Sequence, residues 1–406
     1  MIVTRSAFLK WVHAAIALIL AVGITPVRAT ELPPIRHVFL IVLENEGYEI
    51  TFGPHSPAPY LSRRLVSQGA LLRNYYGIGH FSLDNYIAMI SGQAPNVATQ
   101  SDCQSFTEFS GNTLDADGQA IGTGCVYPAN VKTVVNQLDE ASLTWKSYSE
   151  DMGNDPVRDK NAVCVHANQG TDDPTQQAEP AHPADQYAAR HNPFVYFHAI
   201  INRPECQSNV VNFSHLRQDL RSISTTANFV FITPNLCDDG HDGGKPGKKC
   251  VDGRPGGLKS ADAFLRKWVP LLLASPAYKQ DGLLIVTFDE ADIDVHYDPA
   301  KHALTLEGGD ASACCNEMAG PNLASSQTVL GIPDRGPGII GPGGGNIGAV
   351  ALSRFIKPRT VSITPYNHYS LLRTLEDIFG LPHLGYAGRP GLDSFGSDVF
   401  SQPGGQ

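Results

Sequence analysis

The sequence predicts an α/β fold: a three-layer sandwich with a mostly parallel central sheet, helices on both faces and disulfide-stapled loop insertions. Three observations predict it. Continuous apolar runs of strand length end abruptly in polar residues. Segments of helical spacing alternate with them, as strands and helices do in a sheet covered on both sides. Polar, Gly- and Pro-rich stretches interrupt the series at 93–127, 151–185, 236–258 and 292–345.

In chain order, HVFLIVLEN (37–45) reads as a strand buried on both faces, and APYLSRRLVSQG (58–69) as a helix stopped by glycine. ALLRNYYG is a second strand and LDNYIAMISG the next helix. VKTVVNQLDEA and LTWKSYSE give another helix and strand. ANFVFITPN (227–235) is a strand, LKSADAFLRKWVPLLLASPAY a long helix, and GLLIVTFDE (282–290) another buried strand. NIGAVALSRFI and NHYSLLRTLEDIFGL close the series. No internal repeat and no clean linker interrupt it, so residues 30–406 read as one domain.

Residues 1–29 read as a signal peptide. Arg5 and Lys10 precede the uncharged run AAIALILAVGI, and VRA places cleavage after Ala29. At 11 residues the run is short of the roughly 20 that span a bilayer. Without Arg5, Lys10 and Arg28, 27 basic residues face 40 acidic ones, a net charge of −13. That balance argues against nucleic acid or an anionic membrane as the main partner, and no later segment is apolar enough for membrane insertion. All eight cysteines follow residue 29, an even number in a chain expected to be secreted or periplasmic. Pairing of neighbours, 103–125, 164–206 and 237–250, is the simplest arrangement. Cys314 and Cys315 either pair with each other or reach elsewhere.

Ligands of open parallel sheets gather beyond the carboxyl ends of the strands. Here those ends carry Glu44 and Asn45, then Asn235, Asp238, Asp239, His241 and Asp242, then Asp289 and Glu290, while the last helix starts with Asn367 and His368. Each has an ordinary alternative: a solvated strand end, an Asp- and Gly-rich turn, a helix cap. Together, so many like charges converge only around a cation, and a divalent metal ion is the simplest one. Oxygen donors suit Mg, Ca or Mn, and the histidines would admit Zn or Fe. In GHFSLDNYIAMISG, Ser82 stands at a strand-to-helix corner, where it either caps the helix or is activated by the metal as a nucleophile. Helix amides after it would hold an anion such as phosphate, with Asn85 donating to an oxygen and His80 meeting substrate or leaving group.

This segment resembles the nucleophile segment of the alkaline phosphatase superfamily. It is closer to the acid phosphatase and phospholipase C-type phosphoesterase family, which typically shows His-Pro-Ser-Leu-Pro-Asn-Tyr there. IVLENEGYEITFG, TPNLCDDGHD, LLIVTFDEAD and TPYNHYSLLRTLEDIFGLPHLGYAG resemble further motifs of that family in the same order, from residue 36 to about 390. The resemblance implies an alkaline phosphatase-like fold. It implies Glu44, Asn45, Asp289 and Glu290 as metal ligands, and Ser82 as both ligand and nucleophile. By the same resemblance Asn85 and His80 address the phosphate, and Asn235, His241 and His368 a second metal or the phosphate. Phe81 and Asp84 stand where the family has prolines, and the superfamily's Asp-x3-His spacing is absent at PNLCDDGHD.

The expectation is a secreted, metal-dependent phosphoester hydrolase, foremost a phosphomonoesterase forming a phosphoserine, acting on a phosphorylated small molecule or lipid headgroup. Two alternatives stay open: a phosphodiesterase of phospholipase C type, and a non-catalytic exported binding protein whose metal is structural.

Overall fold

A computed structural model describes residues 32–160, 162–244, 247–298, 303–323, 328–332, 336–340 and 343–401. The signal peptide expected at 1–29 lies outside the described residues. Among the described residues no helix is long and apolar enough to cross a membrane.

Eight strands form the central sheet: β1 (His37–Leu43), β2 (Ala70–Leu72), β3 (Trp145–Ser149), β4 (Val210–Asn212), β5 (Phe229–Thr233), β6 (Gly282–Phe288), β7 (Ala349–Ser353) and β8 (Thr360–Ser362). Their spatial order is β8-β2-β7-β6-β1-β5-β3-β4. β7 runs antiparallel to both its neighbours, and all other pairings are parallel. Every residue of β1, β5 and β6 is buried, so both faces of the sheet centre are covered, as their unbroken apolar runs require.

Four of the helices are α1 (Ser82–Ser91), α2 (Val134–Glu140), α3 (Gly257–Ala274) and α4 (His368–Phe379). α1 ends at Gly92, which takes the left-handed conformation at φ 67° and returns its N–H to Ala88 O. α4 starts at Asn367, whose Oδ1 accepts from Ser370 N, so Asn367 serves as a cap. APYLSRRLVSQG forms a short π-helical turn, Tyr60–Leu65, instead of a regular helix. ALLRNYYG breaks into β2 and a two-residue strand, Tyr75–Tyr76, paired alongside Tyr366–Asn367. β4 and β8, of three residues each, are too short to show an apolar period.

Four disulfides join Cys103–Cys125, Cys164–Cys206, Cys237–Cys250 and the adjacent Cys314–Cys315. A cross-link restrains the unfolded chain more when its loop is longer. Replacing Cys164 and Cys206 by Ala, a separation of 42, is expected to lower unfolding free energy by about 4 kcal/mol. The same change at Cys237 and Cys250, a separation of 13, is expected to remove about 3 kcal/mol. Urea titration of both double variants checks this order, and a reversed order contradicts it.

Candidate active site

The register of two parallel strands builds the centre of the site. Leu43 pairs with Phe288, so the next residues, Glu44 and Asp289, leave the sheet side by side. Asp289 N–H donates to Leu43 O at 2.9 Å, and Asp289 Oδ1 accepts from Asn45 N at 2.9 Å and Glu290 N at 2.7 Å. Asn45 holds φ at 53°, a left-handed conformation that asparagine tolerates better than most residues. At the end of β5, Asn235 Oδ1 accepts from the N–H groups of Cys237 and Asp238 and closes a turn. That turn brings Asp239 to Glu44, whose N–H donates to Asp239 O at 3.0 Å.

Ser82 is the first residue of α1, and it does not cap the helix. The cap position belongs to Phe81, at φ 72°, a conformation costly for a bulky residue and characteristic of functional turns. The Leu83 N–H donates to Asp102 Oδ1 at 3.0 Å, so a distant carboxylate covers the helix start. Ser82 Oγ donates to Glu44 Oε2 at 2.7 Å. Tyr86, one turn further, donates to the other Glu44 oxygen at 2.5 Å.

Four side chains present oxygen to one another here. As placed, the Asn45 amide oxygen stands 3.0 Å from Glu44 Oε2 and 3.2 Å from Asp289 Oδ1, acceptor against acceptor. Turned over, the amide would donate to both carboxylates; unturned, the oxygens face one another as ligands of one cation do. Ligands about 2.1–2.4 Å from an octahedral ion stand about 3.0–3.4 Å apart, close to this spacing. Glu44, Asn45, Asp289 and Ser82 therefore fit a hard divalent cation. Cys237, Cys250 and Asp252 also bunch together, but the two sulfurs are joined to each other and cannot ligate.

Charge makes the same demand. Burial raises the pKa of Glu44, Asp289, Glu290 and Asp239, and repulsion among them adds to the rise at Asp289, Glu290 and Asp239. At Glu44, Arg190 and hydrogen bonds from Tyr86 and Ser82 work the other way.

The remaining expected residues are distributed differently from the sequence-based expectation. Glu290 reaches the cleft, but its Oε2 is hydrogen-bonded to His80 Nδ1. His80 is fully buried, and desolvation lowers its pKa to about 4; it supports Glu290 and does not reach the cleft. Asn85 also faces inward. Its Oδ1 accepts from Ile78 N and Gly79 N, and its Nδ2 donates to Gly79 O, Phe81 O and Asp84 Oδ1, bracing the loop before Ser82. His368 has Nδ1 3.0 Å from Tyr75 OH and Nε2 2.5 Å from Asp289 O, so both ring nitrogens are engaged behind Asp289. Asn235 donates to Asp151 at 2.6 Å and is equally committed. Of the three residues expected at a second metal, only His241 lines the cleft; its side chain is 48% exposed and 3.1 Å from Asp242, whose contact raises its pKa.

The cleft, about 250 Å³, is lined by Ser82, Glu44 and Asn45 together with residues that the sequence does not single out, notably Asp102 and Arg190. His191 also belongs to the centre, with Nε2 3.2 Å from Glu44 Oε2 and its ring stacked on Tyr86. Asp239 is one of the expected strand-end residues. Asp102, Arg190 and His191 lie in irregular segments with no strand to point at them.

The profile of the Phosphoesterase family matches residues 54–382. The probable acid phosphatase of Kluyveromyces lactis is 25% identical over 352 residues, covering 86% of this chain and 59% of that protein. The chain thus spans 59% of that relative's length. The phosphatidylinositol-3-phosphatase of Mycobacterium tuberculosis is 24% identical over 388 residues, covering 95% of this chain and 91% of that protein. A solved protein of the alkaline phosphatase superfamily from Vibrio parahaemolyticus aligns over 89% of this chain and 70% of its own, at 14% identity and a TM-score of 0.48.

Chelation is expected to lower the melting temperature at neutral pH, and a divalent cation at about 100 times its Kd to restore about 2.7 kcal/mol of stability. Asp289→Asn, which removes one repelling charge, is expected to stabilise the stripped protein and abolish the cation's effect. Thermal melts with and without metal check both; a cation effect that survives in Asp289→Asn contradicts the assignment.

Proposed function

The chain belongs to the Phosphoesterase family, and on that premise we propose that it is a metal-dependent phosphoester hydrolase, foremost a phosphomonoesterase, with Ser82 as nucleophile. The observation that carries this reading is the Ser82 hydroxyl. Phe81 holds the cap position, and the Ser82 hydroxyl is set 2.7 Å from Glu44 in a cleft open to solutes. A serine needed only as a cap would accept from an N–H two or three residues further on, and Ser82 instead donates to Glu44.

When bound, a divalent cation held by Glu44, Asn45, Asp289 and Ser82 would neutralise phosphoryl charge and lower the pKa of the serine hydroxyl. Glu44 Oε2 orients Ser82 Oγ by accepting its hydrogen bond. Ser82 Oγ gives its proton to Glu44 Oε2 and attacks phosphorus in line, the bond to the leaving oxygen breaks, and a phosphoserine forms. His241, on the cleft wall and biased toward its protonated form by Asp242, is placed to give the departing oxygen a proton. Water then attacks phosphorus and passes a proton to His241, Ser82 leaves and recovers its proton from Glu44, and phosphate is released. Glu290 keeps His80 and the loop before Ser82 in register through their hydrogen bond.

Four disulfides support export, since reducing compartments do not maintain them. The likeness to a phosphatidylinositol-3-phosphatase puts phosphoinositide headgroups in the substrate panel beside small aryl and sugar phosphates.

Ser82→Ala is expected to cut kcat/KM on p-nitrophenyl phosphate by at least about 1,000-fold while the circular dichroism spectrum stays unchanged. Activity retained within tenfold would remove Ser82 from the chemistry. A wild-type protein inactive on the whole panel with every metal tried would favour the binding-protein alternative.

A further inference from the structure

The cleft presents an electrostatic problem to any phosphate. Glu44, Asp102, Glu290 and Asp292 all line it, and a phosphomonoester brings up to two more negative charges. At the helix start expected to receive the anion, the Leu83 N–H is already bound by Asp102 Oδ1. The side-chain amides of Gln104 and Gln176 nearby are also committed. Gln104 Nε2 donates to Gln176 Oε1 at 2.9 Å, and Gln176 Nε2 donates to Asp102 O and to Asp173 Oδ2.

Arg190 is the one arginine or lysine among the described residues lining the cleft. It is only 7% exposed, and its guanidinium is held in place from behind. Nη1 donates to Gln176 O at 2.9 Å, and Nε lies 3.7 Å from Asp102 Oδ2. Nη2 makes no hydrogen bond to the described residues. A planar fork with spare donors and a fixed orientation matches phosphoryl oxygens, whereas a lysine would offer only a point charge. Asp102 therefore has two partners at once: one oxygen covers the helix start beside Ser82, and the other faces Arg190.

The geometry points to Arg190 as the residue that binds the non-bridging phosphoryl oxygens, so that the site favours dianionic monoesters over monoanionic diesters. The assignment rests on the phosphoester reading of the site, and it sharpens that reading to a substrate class. The rival role is purely structural: Arg190 stands among Asp102, Glu44 and Asp239 and offsets their charge whatever the cleft binds. The two roles differ in what a substitution should change. A residue that only balances buried charge acts equally on all substrates, while one that grips phosphoryl oxygens acts most on the ligand with most charge on them.

The test uses the full, metal-loaded chain with Arg190→Lys and Arg190→Met. Inorganic phosphate binding is measured by calorimetry, and kcat/KM on p-nitrophenyl phosphate and bis-p-nitrophenyl phosphate. For Arg190→Met the phosphate Kd is expected to rise about 10–100-fold, and the monoester-to-diester ratio of kcat/KM to fall by a similar factor. Arg190→Lys, which keeps the buried charge, is expected to melt within a few degrees of wild type and to recover only part of both losses. Equal losses on the two esters, or an unchanged phosphate Kd in Arg190→Lys and Arg190→Met, would overturn the assignment. If Arg190→Met does not fold, Arg190→Lys decides: a phosphate Kd equal to wild type overturns it. A wild-type protein that binds phosphate through Arg190 yet turns over neither ester would defeat the hydrolase reading and leave the binding site standing.

Discussion

Two carboxylates leave adjacent parallel strands at the same level, and the rest of the site answers to that pairing. The register of β1 against β6 makes Glu44 and Asp289 neighbours in a fully buried setting. Neither can keep its charge there without compensation, because desolvation and mutual repulsion act together. Hydrogen bonds from Ser82, Tyr86 and two backbone amides compensate in part. The Asn45 amide adds a further oxygen instead of a donor as it stands. A dication would resolve the conflict in one step, and the role proposed for the Ser82 hydroxyl rests on it.

The helix after this centre shows how a serine is kept available. Phe81 holds an unfavourable backbone angle, Asn85 ties the preceding loop to the helix from inside, and Asp102 accepts the Leu83 N–H at the helix start. Each device fixes the corner without touching the hydroxyl. Gly79 belongs to the same arrangement, since a Cβ there would meet Asp84 Oδ2 at 2.3 Å. Asp84 in place of the family's proline is thus an inward-facing group that fills the loop, and it does not line the cleft.

Legibility followed periodicity. β1, β5 and β6 are unbroken apolar runs, and the polar residues that end them, Glu44, Asn45, Asp289 and Glu290, converge as a parallel sheet requires. Ser82 was legible as a choice between cap and nucleophile; the fold gives the cap position to Phe81 and turns the Ser82 hydroxyl to Glu44, while the nucleophile role is a proposal. Arg190 and His191 arrive from an irregular stretch, where nothing in the spacing says which way a side chain faces. His80, Asn85, His368 and Asn235 have suitable chemistry, yet His80 Nδ1 is engaged with Glu290 and the other three are hydrogen-bonded inside the protein. Residue type announces what a side chain could bind, and only packing decides what it does bind. β7 reads like any other strand because direction leaves no mark on a short apolar run.

The proposed chemistry at Ser82 requires one cation among Glu44, Asn45, Asp289 and the serine oxygen. Crystals grown with manganese, measured at a wavelength that excites its anomalous signal, locate the ion without reference to activity. One strong peak is expected about 2.0–2.6 Å from oxygens of those four residues. A peak elsewhere, or none at a manganese concentration that supports full turnover, would contradict that arrangement.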